Sequence, residues 1–199
     1  MNTVVRTSLT HPIRIDEIVL SSGNKLGLSF CPGKKQTNAM TGIWDRDLAT
    51  DIKAIKDWGA RRVLTILHPD EFRELDAHNL GGEVFDQGME WSGYFLANDS
   101  VPNLQEGFKW YDVRRGVHRE LRQQHNVFIH CKGGIGRTSM VAAMILIESG
   151  YDPNRAVELV GDARPGSFYM EEQRQFVLNY HPNAGLLPDS VYYHPVSVF

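Results

Sequence analysis

The segment from His130 to Thr138 combines residue types that could do chemistry on an anion. It reads His-Cys-Lys-Gly-Gly-Ile-Gly-Arg-Thr, so five residues, three of them glycine, separate a cysteine from an arginine. An apolar segment (126–129) precedes it and predicts a strand, and a helix is predicted from Arg137 onward. A strand, a glycine-rich turn and a helix N-terminus place backbone N–H groups around one sulfur atom. Such a cup fits a phosphate dianion.

Each residue type in this segment has a physical reason to be there. The thiolate is the nucleophilic form of cysteine, and a helix N-terminus favours negative charge, so Cys131 is the predicted nucleophile. The planar guanidinium of Arg137 can bind two phosphate oxygens at once, which a lysine cannot. Glycines let the backbone approach the phosphate closely. We therefore predict that Cys131 and Arg137 are catalytic, and that phosphate is bound by Arg137 with the intervening residues Lys132, Gly133, Gly134, Ile135 and Gly136.

Spacing excludes two nucleotide-binding motifs. A nucleotide P-loop has a glycine five positions before its second glycine and a lysine after it, where this chain has Cys131 and Arg137. A dinucleotide-binding motif needs a third glycine where Ser139 stands. The remaining alternative from the residues alone is a buried structural cysteine at a strand-to-helix turn.

The segment resembles the His-Cys-x5-Arg-Ser/Thr motif of the cysteine-based protein tyrosine and dual-specificity phosphatases, and it matches every defining position. Weaker matches over about 25–180 resemble the kinase-associated phosphatase (cyclin-dependent kinase inhibitor 3-like) branch and its bacterial look-alikes. They include Leu26-Gly27-Leu28, Arg46-Asp47-Leu48, Trp58-Gly59-Ala60 and Arg164-Pro165-Gly166. The resemblance implies hydrolysis of phosphotyrosine, phosphoserine or phosphothreonine through a cysteinyl-phosphate intermediate, with no metal or organic cofactor. It implies a phosphorylated protein as substrate, a kinase being one candidate.

The general acid is the least conventional part of the sequence. Asp99 is the only carboxylate between Glu90 and Glu106, so we predict that it protonates the leaving group. In the branch that this chain resembles, however, the acid stands where this chain has Asn98, and an amide cannot protonate an alkoxide. Two interpretations follow: the loop is shifted so that Asp99 enters the site, or turnover is impaired and the protein holds phosphoproteins.

The resemblance also implies supporting roles. The ring of His130 would orient the loop, the hydroxyl of Thr138 would donate to the Cys131 sulfur, and Gln173 would position water. Each also has a purely structural interpretation. Cys31 is the only other cysteine, so it is the only possible disulfide partner for Cys131 within the chain.

The whole-chain properties exclude several function classes. The length of 199 residues, with 42% hydrophobic and 23% charged residues, suits a single phosphatase domain over 1–199, ending in an extended tail over 182–199. A net charge of -3 gives no sign of nucleic-acid binding. We expect a cytoplasmic monomer, because no apolar run could span a membrane and no signal peptide is visible. A phosphoinositide or an RNA 5′ phosphate is an alternative substrate, since Lys132 adds positive charge. Lys34-Lys35 and Arg114-Arg115 are expected on the solvated surface.

The elements that must position the site alternate between strand and helix patterns. This predicts an α/β protein with a central, mostly parallel sheet flanked by helices, similar to dual-specificity phosphatases, with Cys131 at the carboxyl edge of the sheet. Strands are predicted at 15–20, 25–30, 62–67, 83–90 and 126–129, and helices at 45–58, 103–124, 137–148, 153–162 and 171–180.

Overall fold

The computed structural model describes residues 4–103 and 108–182. The strands are β1 (Val5–Arg6), β2 (Asp16–Val19), β3 (Lys25–Phe30), β4 (Lys35–Ala39), β5 (Gly42–Asp45), β6 (Ala60–Thr65), β7 (Glu90–Gly93) and β8 (Asn126–Cys131). The helices are α1 (Leu48–Asp57), α2 (Pro69–Glu74), α3 (Leu80–Asp86), α4 (Phe108–Arg122), α5 (Gly136–Glu148), α6 (Pro153–Ala163) and α7 (Glu171–Leu178). Within these residues no helix is both long and apolar enough to cross a membrane.

A five-stranded sheet in the order β2-β3-β8-β6-β7 carries the site. The pairs β3–β8, β8–β6 and β6–β7 are parallel, whereas the edge strand β2 is antiparallel to β3. Strand β8 lies in the middle, and its residues from Val127 to Cys131 are all buried. The predicted α/β class with a mostly parallel sheet is confirmed, and the sheet is mixed because of β2.

Helix α5 follows β8 directly and fixes the position of the turn between them. Its residues from Gly136 to Ile147 are buried, because α5 packs against β8, α6 and α7. The nearly unbroken apolar run from Met140 to Ile147 predicts this all-round burial. The turn that contains Cys131 is thus held between a central strand and a core helix.

A second sheet was not predicted from the sequence. It has three strands in the order β1-β5-β4. Strand β4 reads Lys-Gln-Thr-Asn-Ala, without the alternation of apolar and polar residues that indicates a strand, and β1 has only two residues. These strands depend on pairing with one another, which local sequence does not reveal.

The strand predicted at 83–90 is wrong. The chain forms α3 there, then turns at Gly88 with a φ of 70°, and only afterwards enters β7. Leu80 and Val84 are the buried residues of α3, and their spacing of four is helical. Helix α2 was also missed, because it is a six-residue helix.

Two residues that were expected on the solvated surface are not fully exposed. Lys34 is buried rather than solvated, and the Arg114 guanidinium is half-buried and bonded to Glu148 at 3.2 Å. Residues 104–107 of the helix predicted at 103–124, and residues 183–199 of the tail predicted at 182–199, lie outside the described residues.

Candidate active site

Cys131 ends β8 and opens a tight turn, which we call the cysteine loop (residues 131–137). Cys131 lies opposite Phe30 of β3 in the sheet register, at the carboxyl edge of the parallel strands. Its side chain is a free thiol and the residue is 3% exposed. The backbone N–H of Gly134 points at the sulfur, with N and Sγ 3.2 Å apart. This is the hydrogen bond that a cup stabilising a thiolate requires.

Gly134 makes the tight curve of the cysteine loop possible. Its φ is 76°, in the left-handed region that favours glycine. A Cβ at this position would lie 2.3 Å from the Ser29 carbonyl oxygen on β3, a distance that no side chain can tolerate. The loop therefore curls directly over the end of β3 only because residue 134 has no side chain.

Arg164 holds the outer side of the same loop. Its guanidinium donates to the carbonyl oxygens of Gly134 and Gly133, and it also pairs with Asp16 on β2. These contacts occupy two carbonyl oxygens of the loop. Within the described residues, the backbone N–H groups of Gly133 and Ile135 donate to no other protein group. The loop thus presents donors, rather than acceptors, to an anion near Cys131.

Arg137 is held in place by Glu71 of α2. The two form a bidentate ion pair, with Nη1 2.5 Å from Oε2 and Nη2 2.8 Å from Oε1. The Leu96 carbonyl accepts a further bond from Nη1 at 2.9 Å. Both side chains are almost completely shielded from solvent, so the guanidinium has a fixed orientation.

Glu71 and Arg137 each stabilise the charged form of the other. Burial opposes ionisation and raises the pKa of Glu71, but hydrogen bonds from Arg137 and from the His68 amide outweigh it and leave the pKa below its usual value. Burial likewise lowers the pKa of Arg137, and the bonds to Glu71 more than restore it. Both groups are therefore charged at neutral pH.

One edge of the Arg137 guanidinium remains available to a ligand. Nε and Nη2 flank this edge; Nε is buried without a hydrogen-bond partner among the described residues. Nη2 donates to the Asn98 Oδ1 at 3.2 Å, the longest of the bonds that the guanidinium makes. A buried donor without a partner is rare and calls for an explanation. A phosphate that bound this edge would pair Nε and replace Asn98 on Nη2.

Asp99 is next to this edge but does not bond to Arg137. Its carboxylate accepts from the Asn98 side-chain amide at 2.7 Å and from the Tyr169 hydroxyl at 2.5 Å. Burial and the bond to Asp99 raise the pKa of Tyr169 to about 12, so its hydroxyl keeps the proton that it donates. The structure brings both candidates, Asn98 and Asp99, to the Arg137 side of the site.

His130 braces the start of the loop from inside the sheet. Its Nε2 is 2.8 Å from the Thr65 Oγ1 on β6, while Nδ1 is 3.5 Å from the Cys131 carbonyl oxygen. Burial lowers the pKa of His130 to about 3, so the ring is neutral. The implied contact to backbone is present, and the shorter bond goes to a neighbouring strand.

Thr138 and Gln173 are both buried near the loop. The Thr138 hydroxyl has no hydrogen-bond partner among the described residues, so the implied bond to the Cys131 sulfur is not formed in this structure. The Gln173 Nε2 donates to the Ser100 carbonyl at 3.2 Å, and its Oε1 is buried without a partner in the same set of residues. Gln173 lies against Gly136, where a Cβ would come within 2.9 Å of Oε1. Gln173 is therefore at the loop, as implied.

The remaining predicted residues are also accounted for. Lys132 pairs with Glu74 of α2, with Nζ and Oε1 2.5 Å apart, so its charge is largely neutralised. Cys31 is fully buried, and burial raises its thiol pKa well above the usual value. Over residues 4–103 and 108–182, no cluster of His, Cys, Asp and Glu side chains could hold a metal ion.

Two residues of the site were missed from the sequence, Glu71 and Tyr169. Glu71 stands three residues after His68 and accepts from its backbone N–H at 2.8 Å, which is part of a helix capping box. A carboxylate at that spacing signals a helix start, but nothing local indicates a partner 66 positions away in the sequence. Tyr169 stands 70 positions from Asp99, and nothing in its local sequence indicates that contact.

Comparisons with known proteins identify relatives of this chain. Cyclin-dependent kinase inhibitor 3 of Mus musculus is 24% identical over 169 residues, covering 83% of this chain and 76% of that protein. The PRL-1 phosphatase of Drosophila melanogaster is 29% identical over 104 residues, covering 52% of this chain; this chain spans only 58% of the length of that relative.

A solved structure supports the same fold. Kinase associated phosphatase, crystallised with a serine in place of its catalytic site cysteine, superimposes with a TM-score of 0.73 at 22% identity, covering 85% of this chain and 98% of that one. The model of the family described as Cyclin-dependent kinase inhibitor 3 (CDKN3) matches residues 6–157, more than half of the chain. The resemblance drawn from the cysteine loop is thus confirmed, and the chain belongs to the cyclin-dependent kinase inhibitor 3 family.

Proposed function

We propose that this protein is a cysteine-dependent protein phosphatase of the dual-specificity type. The observation that carries the proposal is the cysteine loop itself. The buried Cys131 sulfur lies under the Gly134 amide, and beside it the Glu71-bound Arg137 keeps its Nε without a partner among the described residues. The names of two similar proteins, kinase associated phosphatase and PRL-1 phosphatase, support the same class.

Substrate binding uses the free edge of Arg137 and the loop amides. A phosphate monoester places one oxygen on Nε and a second on Nη2, and the Asn98 Oδ1 leaves Nη2 as it does so. The N–H groups of Gly133 and Ile135 bind the remaining charge. Because Glu71 fixes the guanidinium before substrate arrives, little reorganisation is needed when charge develops in the transition state.

The first chemical step transfers the phosphoryl group to Cys131. The thiolate sulfur forms a bond to phosphorus while the bond from phosphorus to the serine, threonine or tyrosine oxygen breaks. Protonated Asp99 gives its proton to the departing oxygen, which leaves as a neutral hydroxyl. The product is a cysteinyl-phosphate that remains bound to Arg137.

The second step hydrolyses that intermediate. Water attacks phosphorus, its proton passes to the Asp99 carboxylate, and the bond from sulfur to phosphorus breaks to release inorganic phosphate and the thiolate. Gln173 orients this water; the support is that its Oε1, which has no partner among the described residues, lies against Gly136 at the start of α5. Asp99 is thereby returned to its acid form for the next cycle.

The deciding experiment measures hydrolysis of 4-nitrophenyl phosphate in the presence of EDTA. Wild type should turn it over, and Cys131→Ser should lose activity to background while still binding the phosphate analogue tungstate. Cys31→Ser is the matched control, because it changes the other buried cysteine, and it should stay within about threefold of wild type. Equal rates for wild type and Cys131→Ser would refute the proposal.

A second candidate function is a module that holds phosphoproteins without turning them over. The observation in its favour is that Asn98 stands at the position where the family has its acid, and that its side-chain oxygen accepts a hydrogen bond from Arg137. Asn98→Asp separates the two functions. If Asp99 is the acid, the new carboxylate competes with phosphate for Nη2, so the KM rises and kcat does not. An increase in kcat of about tenfold or more would instead indicate that wild type lacks a working general acid and that Asn98→Asp restores one.

The substrate that we propose is a phosphorylated protein, with the choice between phosphotyrosine and phosphothreonine left to a peptide assay. A phosphoinositide or an RNA 5′ phosphate receives less support. The positive charge that suggested them, on Lys132, is paired with Glu74. A net charge of -3 also disfavours polyanionic ligands.

A further inference from the structure

Tyr169 connects two segments that both border the cysteine loop. It lies between α6 and α7, in the Tyr169 loop (residues 164–170), and its hydroxyl donates to the Asp99 Oδ1 at 2.5 Å. Its ring edge lies against the start of α5, because a Cβ on Gly136 would come within 3.2 Å of the Tyr169 Cε1. The side chain therefore reaches from one segment to the other beside the first turn of α5.

Asp99 and the residue that precedes Tyr169 both have a left-handed backbone conformation. Asp99 has a φ of 55°, and Phe168, immediately before Tyr169, has a φ of 56°. The left-handed region costs a non-glycine residue about 1–2 kcal/mol, and a bulky residue such as phenylalanine is seldom found there. Such strain persists only where surrounding contacts impose it, and it is concentrated at functional sites.

The contacts that impose this conformation are present in the Tyr169 loop. The Ser167 hydroxyl bonds to the Ser139 hydroxyl of α5 and to the Arg164 carbonyl, each at 2.7 Å. Arg164 in turn binds the cysteine loop through the Gly134 carbonyl. Tyr169 is consequently fixed to the same framework as the nucleophile, although its own side chain is 59% exposed.

The carboxylate of Asp99 has few other supports. Its Oδ2 accepts from Asn98, and Asn98 must leave Arg137 when phosphate arrives, so that contact cannot hold Asp99 in a constant position during the reaction. The Tyr169 hydroxyl is on the other carboxylate oxygen, Oδ1, and this hydrogen bond does not involve Arg137. It can therefore stay bonded to Asp99 while Asn98 moves.

We propose that Tyr169 is the positioning residue for the general acid, holding the Asp99 carboxylate beside the leaving-group side of the cysteine loop. This inference rests on the proposed phosphatase function. Tyr169 acts through Asp99 and contributes most when protonation of the leaving group limits the rate.

The test is a double-mutant cycle with Tyr169→Phe and Asp99→Asn. Tyr169→Phe removes only the hydroxyl and should lower kcat/KM for phenyl phosphate, a poor leaving group, by roughly three- to tenfold, the usual worth of one hydrogen bond. For 4-nitrophenyl phosphate, which needs little protonation, the loss should be less than twofold. In the Asp99→Asn background, Tyr169→Phe should change neither rate.

Tyr151→Phe is the matched control, because it removes a tyrosine hydroxyl that is bonded to the Ser21 amide at 3.1 Å, away from the site. It should leave the rate and the leaving-group dependence unchanged.

The outcomes separate this inference from the proposed function. An equal loss in both backgrounds, or an equal loss for both leaving groups, would mean that Tyr169 has only a structural role, while the phosphatase function stood. No Cys131-dependent turnover in wild type would overturn both. If Tyr169→Phe lowers kcat/KM only when Asp99 is present, and only for phenyl phosphate, the result supports Tyr169 as the positioning residue.

Discussion

A single glycine decides whether the cysteine loop can form. We predict that Gly134→Ala abolishes tungstate binding and lowers the free energy of unfolding by about 2–4 kcal/mol, because alanine disfavours a positive φ and its Cβ would collide with the Ser29 carbonyl. Urea denaturation and tungstate titration measure the two effects. Gly133→Ala is the control, since a Cβ there meets no atom within 4 Å. It should change the free energy of unfolding by less than about 1 kcal/mol; similar behaviour of the two variants would contradict the role of Gly134.

Individual residues differ in how far the sequence could define them. The spacing of Cys131 and Arg137 predicts a phosphate-binding loop, because those residue types are close in sequence and share one turn. Glu71 and Tyr169 reach the same site from α2 and from the loop before α7. Nothing in their local sequence indicates that contact, so only the folded chain identifies them.

Among the secondary-structure elements, three adjacent strands are joined through one neutral histidine. His130 of β8 contacts the Thr65 hydroxyl of β6, and that hydroxyl accepts from the Trp91 Nε1 of β7 at 2.9 Å. Burial lowers the pKa of His130 from 6.5 to about 3, so the unfolded chain binds a proton that the folded chain excludes. The stability from this group is therefore complete above pH 6.5 and is lost as the pH falls toward 3.

We predict that this loss disappears in His130→Gln, which keeps a polar side chain but does not titrate. The free energy of unfolding of wild type should fall relative to the variant by up to about 1.4 kcal/mol per pH unit as the pH drops below the usual histidine range. Urea denaturation at several pH values between 7.5 and 4.5 provides the comparison. Parallel curves for the two proteins would show that His130 does not titrate between the folded and unfolded states.

The elements themselves were predictable where periodicity was strong. The apolar run of α5, the stripe of α1 and the buried strands β3 and β8 carry patterns that local sequence preserves. The small sheet of β1, β5 and β4 and the short helices α2 and α3 do not, because their residues are polar or too few to show a period. Their formation depends on pairing and packing with distant segments.

At the scale of the whole molecule, a second charged cluster lies away from the candidate active site. Glu148, at the end of α5, accepts hydrogen bonds from Trp110, His118 and Tyr180 and from Arg114. Burial raises the pKa of Glu148, but the bonds from His118 and Tyr180 outweigh it and lower the pKa overall. The carboxylate thus connects α4, α5 and the segment that follows α7. It lies at the C-terminal end of α5, whereas the cysteine loop lies at the N-terminal end.

We predict that Glu148→Gln lowers the free energy of unfolding by about 3 kcal/mol, because buried donors lose a charged acceptor. The kcat of the folded variant should stay within twofold of wild type. Thermal denaturation and a 4-nitrophenyl phosphate assay test the two parts. Glu158→Ala, which breaks only the exposed pair with Arg155, should alter neither. A kcat that fell together with stability would show that the Glu148 cluster also supports the site.

The sequence by itself determined the family and the α/β class of this protein, and it predicts Cys131 as the nucleophile and Arg137 as the phosphate-binding residue. These are local properties: a motif within nine residues and the periodicity of single elements. The tertiary structure alone decided how that motif is completed. Chain segments far apart in sequence bring Glu71 onto Arg137, Asn98 onto the edge where phosphate would bind, and Tyr169 onto Asp99. The partner of a charged or polar side chain depends on which segments the core packing brings together, and one local stretch of sequence does not contain that information.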